Sequence, residues 1–145
     1  MTTLSHGIDA VKLVNLTTHT DSRGRLTAIE GEADIPFAIQ RLFYVYDVAS
    51  GTDRAGHAHP ATQQLLLAMT GSLEVEVTDG QTTRNYPLTV CNIGLYVPPM
   101  IWVSLKRFSA GALCLVAAST HYVASDVIRE WGDYQTRLMR MRTRS

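Results

Sequence analysis

The chain carries little that would suit it to the outside of a cell, to a membrane or to a nucleic acid. Only two cysteines occur in 145 residues, Cys91 and Cys114, and their spacing fits neither a disulfide framework nor a zinc ligand set. Both read as reduced thiols in or near the core. No charge sign dominates, since 13 Lys and Arg balance 13 Asp and Glu. That removes the argument for nonspecific binding to nucleic acid or to a membrane surface. No apolar run approaches the ~20 residues of a membrane-spanning helix. The segment from Met1 to Ala10 lacks a basic stretch followed by an apolar core, so no secretory signal is read there. A cytoplasmic protein with no nucleic-acid or membrane partner is expected. Repeats, low-complexity stretches and interdomain linkers are also missing. A single domain over 1–145 is expected, with 1–10 as a loosely ordered extension and 125–145 as a C-terminal helix and basic tail.

What is present is mostly strand-like. Val11 to Leu16 alternates weakly, Asp21 to Gly24 has the composition of a turn, and Leu26 to Glu30 follows as a second strand. Pro36 breaks the next stretch by forcing its predecessor out of the helical region. Ile39 to Val48 is rich in aromatic and β-branched residues; its period of two puts Arg41, Phe43 and Val45 on one face and Leu42, Tyr44 and Tyr46 on the other. Gln64 to Ala68 reads as a buried strand. Leu73 to Val77 alternates, Asp79-Gly80 signals a hairpin, and Thr82 to Leu88 returns. Leu95 to Pro98, Ile101 to Leu105 and Ala112 to Ala118 complete roughly nine or ten strands. Only Ser125 to Arg142 looks helical, with Ser125 or Asp126 as cap. Many short strands and one terminal helix mean an all-β sandwich or small barrel.

Two histidines dominate the candidate chemistry. Gly51, five residues, His57, one residue, His59, four residues, Gln64, six residues, Gly71 is the spacing. In an extended strand His57 and His59 share a face. The pattern resembles the first motif of the cupin superfamily, with glutamine in the glutamate position. The resemblance implies a double-stranded β-helix, or jelly-roll sandwich, with a short C-terminal helix. In metal-binding cupins the two histidines, the glutamate and a histidine from a second motif are ligands. Here the second stretch runs from Gly94 through Pro98, Pro99 and Trp102, and the histidine slot falls on Val103. A divalent metal needs a closed set of basic ligands, so no metal is expected.

The chain resembles more closely the sugar-nucleotide 3,4-ketoisomerases, metal-independent cupins acting on dTDP-4-keto-6-deoxyglucose. The residues that carry this are Asp21-x-Arg23-Gly24, Gln40-Arg41-x-Phe43-Tyr44-x-Tyr46-Asp47, Arg54-x-x-His57-Ala58-His59, Gln63-Gln64, Pro99-Met100-x-Trp102, and Tyr122-x-x-Ser125-Asp126-x-Ile128-Arg129, within about residues 21–135. Two positions depart from the family: Val103 replaces its histidine and Pro60 its lysine.

Moving a carbonyl from C4 to C3 of a sugar requires a base for the C3 proton and donors for the developing oxyanion, with neither metal nor redox cofactor. Imidazole suits the base, since its ordinary pKa of ~6.5 lies near working pH. The resemblance points to His59 as the carbon base and His57 as its partner. Tyr46 is a candidate donor to the oxyanion. Arg23 and Arg41 are candidates for the diphosphate, whose oxygens match the guanidinium fork. Arg54 is a candidate for orienting the sugar, and Gln64 for fixing a histidine tautomer. Tyr44 and Trp102 complete the substrate-binding candidates, against the plainer reading of core packing. His6, His19 and His121 have no partner pattern, and Arg137, Arg140, Arg142 and Arg144 read as a solvated face. The competing readings are a 3,5-epimerase, a non-catalytic nucleotide-sugar-binding cupin, and a metal-dependent oxygenase. The resemblance also implies a nucleotide-sugar substrate, no cofactor and a homodimer, whose second subunit would cover an exposed sheet edge.

Overall fold

The computed structural model describes residues 7–143. Eleven strands are found among them: β1 Lys12–Asn15, β2 Thr18–Asp21, β3 Gly24–Thr27, β4 Arg41–Tyr46, β5 Arg54–His57, β6 Gln64–Thr70, β7 Leu73–Thr78, β8 Thr83–Leu88, β9 Ile93–Val97, β10 Trp102–Lys106 and β11 Leu113–Ala118. One helix, α1, spans Trp131–Thr143. A five-stranded sheet has the order β1-β9-β6-β11-β4, a four-stranded sheet the order β5-β10-β7-β8, and β2 and β3 form a separate hairpin. The paired strands are antiparallel. The fold is the expected cupin jelly roll with a short C-terminal helix.

The main core fills the space between the sheets. Leu66, Leu95, Val97 and Val116 meet Val75, Val77, Val103 and Leu105, all buried. Each such side chain contributes roughly 1.5–3 kcal/mol by leaving water. β6 is buried on both faces, which is why it reads as a continuous apolar run rather than an alternation. Its Leu65 and Leu67 point away from the main core into a second cluster with Leu16, Ile35 and Phe37. The segment around Pro36 therefore lids the outer face of the large sheet.

The four-stranded sheet is covered by α1. Tyr134 is fully buried there, and its hydroxyl donates to the Met100 carbonyl at 2.8 Å and lies 3.2 Å from the Thr78 carbonyl. Trp102, Trp131 and Tyr134 form a ring cluster, with the two indoles edge to face at 5.2 Å.

Some expectations change. The polar segment Thr18–Asp21 is a strand, paired with Gly24–Thr27, so the Asp21 turn closes a hairpin rather than preceding a strand at Leu26 to Glu30. Of the expected N-terminal extension, residues 1–6, with His6, lie outside the described residues, as does Arg144 at the other end. Ile8, by contrast, is buried in the main core within a 3-10 turn. The helix begins at Trp131, not near Ser125, because Ile128 exchanges backbone hydrogen bonds with Ala58 at 2.8 and 3.0 Å and stays extended. Ser125 and Asp126 fall in a 3-10 turn before it. Cys114 is buried as expected, whereas Cys91 is exposed. No helix among the described residues is long and apolar enough to cross a membrane.

Candidate active site

Between the sheets lies a cavity of about 740 Å³. The four-stranded sheet gives it His57, Val103 and Leu105; the five-stranded sheet gives Arg41, Phe43, Val45, Gln64, Leu66 and Val116. His59 follows β5, and Arg54, Tyr122 and Arg129 stand at the exposed rim.

A register shift on β5 brings Arg54 and His57 to the same side. His57 pairs with Val103 and Arg54 with Leu105, so three steps on β5 match two on β10. In a regular strand residues three apart point to opposite faces; the extra residue of the bulge restores the match. Ala58 then points outward, fully buried against Ile128 and Tyr134, and His59 returns to the cavity side. The Met100 amide donates to the His59 carbonyl at 2.8 Å, which holds this turn of chain in place.

The two imidazoles meet edge to face, with centroids 5.0 Å apart. The His59 Nε2 is buried and has no hydrogen-bond partner among the described residues. Burial, then the neighbouring His57, Arg41 and Arg129, push the His59 pKa down to about 4. The ring is thus neutral at ordinary pH, with a nitrogen available to a proton. Arg41 lies above the rings of Phe43 and Tyr122 at 5.0 and 5.2 Å, and its Nε is also buried without a partner. Arg129 donates to the Tyr122 hydroxyl at 3.3 Å. The ion pairs among the described residues involve neither Arg41 nor Arg129. Two positive charges thus stand beside a neutral imidazole, in a cavity that Thr52, Asp53, Gln64 and Tyr122 also line.

Of the expected site residues, His57, His59, Arg41, Arg54 and Gln64 line this cavity. The other four lie outside this cavity. Tyr44 and Tyr46 lie on the outward face of β4, 59% and 56% exposed, because Arg41, Phe43 and Val45 take the inward face. Trp102 alternates with inward-facing Val103 and so packs under α1. Arg23 is at the tip of the β2–β3 hairpin, paired with Asp21 at 2.8 Å. Gln64 is buried in the lining but leaves the His59 Nε2 unpaired, so it does not fix that nitrogen's tautomer. Tyr122 and Arg129 join the cavity although neither was singled out as a site residue. His19 and His121 are exposed, as are Arg137, Arg140 and Arg142 along α1.

A cupin-type metal does not fit this donor set. Gln64 offers a neutral amide and Val103 offers nothing, leaving two imidazoles. Among the described residues, no group of three or more His, Cys, Asp or Glu is placed to hold a metal ion.

A family model described as "FdtA: WxcM-like, C-terminal" matches residues 9–139. The chain belongs to this family. Relatives of this FdtA/WxcM-like chain carry consistent names. A curated protein of Aneurinibacillus thermoaerophilus, "TDP-4-oxo-6-deoxy-alpha-D-glucose-3,4-oxoisomerase", is 36% identical over 124 residues, which is 86% of this chain and 89% of the relative. The crystal structure of WlaRB, a TDP-quinovose 3,4-ketoisomerase from Campylobacter jejuni, superposes with a TM-score of 0.85 at 36% identity, over 89% of this chain and 99% of that one. A histidine-to-asparagine variant of the 3,4-ketoisomerase QdtA from Thermoanaerobacterium thermosaccharolyticum, in complex with TDP-4-keto-6-deoxyglucose, superposes with a TM-score of 0.88 at 30% identity, over 92% of this chain and 96% of that one. The resemblance read from the sequence holds across nearly the whole chain.

Proposed function

We propose that this protein is a sugar-nucleotide 3,4-ketoisomerase that converts TDP-4-keto-6-deoxyglucose into a TDP-3-keto-6-deoxyhexose, in the making of a deoxysugar or aminosugar. The observation that carries the reading is the pair of cavity imidazoles, one with a buried Nε2 that has no hydrogen-bond partner among the described residues, beside two arginines that form no ion pair among them. His59 takes the C3 proton. The charge that develops on the sugar oxygens is stabilised by Arg41 and Arg129, in a low-dielectric setting where such contacts count most. His57 moves the proton between the two oxygens. Arg54 and Tyr122, at the rim, orient the sugar and its diphosphate, and Gln64 donates to a sugar oxygen. No metal enters the reaction.

A proton NMR time course in heavy water with a chelator tests this. Loss of the C3 proton signal and appearance of a 3-keto sugar at an undiminished rate are expected. Exchange at C3 and C5 without carbonyl migration would make the protein an epimerase instead, and dependence on added metal would overturn the metal-free chemistry.

A homodimer completes the proposal. Edge strand β4 exposes Leu42, Tyr44 and Tyr46 in a row, an apolar edge that a second subunit would cover. Sedimentation equilibrium is expected to give twice the 16.0 kDa of one chain; a monomer at micromolar concentration would refute it.

A further inference from the structure

The segment His57-Ala58-His59 is gripped from the side away from the cavity. Ala58 is fully buried against Ile128 and Tyr134, and its amide and carbonyl both bond to Ile128, at 3.0 and 2.8 Å. One residue on, the His59 carbonyl accepts from the Met100 amide at 2.8 Å. The Met100 carbonyl in turn accepts from the Tyr134 hydroxyl at 2.8 Å. Hydrogen bonds in series therefore join α1 to the backbone of His59. Met100 is the middle link, and its φ of 65° places a non-glycine residue in the left-handed region. Such a conformation persists only where the surroundings fix it. Pro98 and Pro99 before it have no amide proton, so neither can hold the histidine segment in its stead. Burial, then Asp79, push the Tyr134 phenol up to about 12, so it keeps the proton that it donates.

We infer that Tyr134 is a positioning residue for the reaction: its hydroxyl, through Met100, fixes the backbone from which the His59 ring reaches the C3 proton. This rests on the ketoisomerase reading above, with His59 as the base. Tyr134 does not line the cavity; it acts from the opposite face of the small sheet, among Ala58, Trp102 and Ile128. Packing alone does not call for its hydroxyl, since a phenylalanine ring would fill the same space. A buried hydroxyl is tolerated where it finds partners, and here the nearer one is the Met100 carbonyl rather than that of Thr78 at 3.2 Å. Without the hydroxyl, the left-handed turn loses a restraint and His59 strays from its line to C3. A general base works only within hydrogen-bond reach of its proton, and a misplacement of ~1 Å can cost ~10²-fold in rate. Arg41 on β4 and Gln64 on β6 stand on the other sheet and keep their places, so substrate binding is spared.

The test compares Tyr134→Phe with the parent enzyme on TDP-4-keto-6-deoxyglucose and on the same substrate carrying deuterium at C3. The ring is kept, so α1 still docks. We expect kcat to fall about tenfold with KM unchanged, and the deuterium effect on kcat to be at least as large as the parent's, because the loss lies in removing the C3 proton. Leu16→Ala, in the buried cluster on the outer face of the large sheet, controls for stability alone. Its melting temperature should fall while its kcat, measured well below the transition, stays parental. A Tyr134→Phe enzyme with parental kcat, with its loss in KM instead, or with a smaller deuterium effect would overturn the inference and leave the ketoisomerase reading intact. So would an equal loss of kcat in Leu16→Ala, since lowered stability would then explain both. A parent enzyme that forms no 3-keto sugar would overturn that reading and this inference with it.

Discussion

Replacing His59 with asparagine is expected to lower turnover of TDP-4-keto-6-deoxyglucose by roughly 10²–10⁴-fold, the range that a positioned general base contributes. Asparagine has similar size and polarity, so the cavity should persist and KM should change little. The environment of His59 also sets a pH signature. With its pKa held near 4, the ring stays unprotonated as pH falls through the range where a free histidine would titrate. The acid limb of kcat/KM should therefore lie near pH 4 rather than near 6.5. His57 is one of the neighbours that depress His59, after burial itself. Removing it as His57→Asn should shift the acid limb upward, because one of the groups that disfavour a protonated His59 is then gone. Near-normal turnover in His59→Asn would remove it from the role of carbon base. An unshifted limb in His57→Asn would show that the two rings do not feel each other.

Gly56→Ala is expected to cost roughly 3 kcal/mol and lower the melting temperature by about 6–12 °C. A Cβ at this position would overlap the Trp102 Nε1, come within 2.5 Å of its Cε2 and within 2.8 Å of the Ser104 Oγ. The indole has nowhere to go, since Trp131 and Tyr134 hold its other sides. Relief must come from moving β5, and β5 carries Arg54 and His57 into the cavity. Activity should fall along with stability. Gly132→Ala is the contrast: it lies in α1 with nothing within 4 Å of its would-be Cβ, and it should be neutral or slightly stabilising. Thermal unfolding of the two variants side by side checks both. If Gly56→Ala melted within a degree or two of the parent, the close approach of indole to glycine would not constrain the strand.

Much of this architecture can be read from local chemistry. The strands from β6 to β11 follow alternation, apolar runs and Gly or Pro turns, and the His57-x-His59 spacing puts both rings on one face. The failures have physical reasons. In β4 both faces are aromatic or aliphatic, so period two divides Tyr44 and Tyr46 from Arg41, Phe43 and Val45 without saying which set faces in. Tertiary context decided that, and it favoured the set holding a charged residue, because the interior here is a site rather than a core. The bulge in β5 hides the shared face of Arg54 and His57, since a one-residue shift inverts parity without leaving a mark in composition. Thr18–Asp21 has no alternation to detect because none of its side chains is buried. Tyr122 and Arg129 reach the cavity from an irregular segment after β11, where no periodicity speaks. The helix-like composition from Ser125 onward yields to one pair of backbone hydrogen bonds between Ile128 and Ala58, which keeps that segment extended and carries Arg129 to the rim.

Both tryptophans of the chain, Trp102 and Trp131, sit in one edge-to-face pair at the seam between α1 and the small sheet. The tryptophan signals of the protein thus originate from a single place. Rings so close and so nearly perpendicular couple their excited states, which gives a paired band in circular dichroism that vanishes once either partner moves. Intrinsic fluorescence then gauges the docking of the C-terminal helix, and a change on adding ligand would mean that a filled cavity is felt, through β5 and Gly56, on the far side of the sheet.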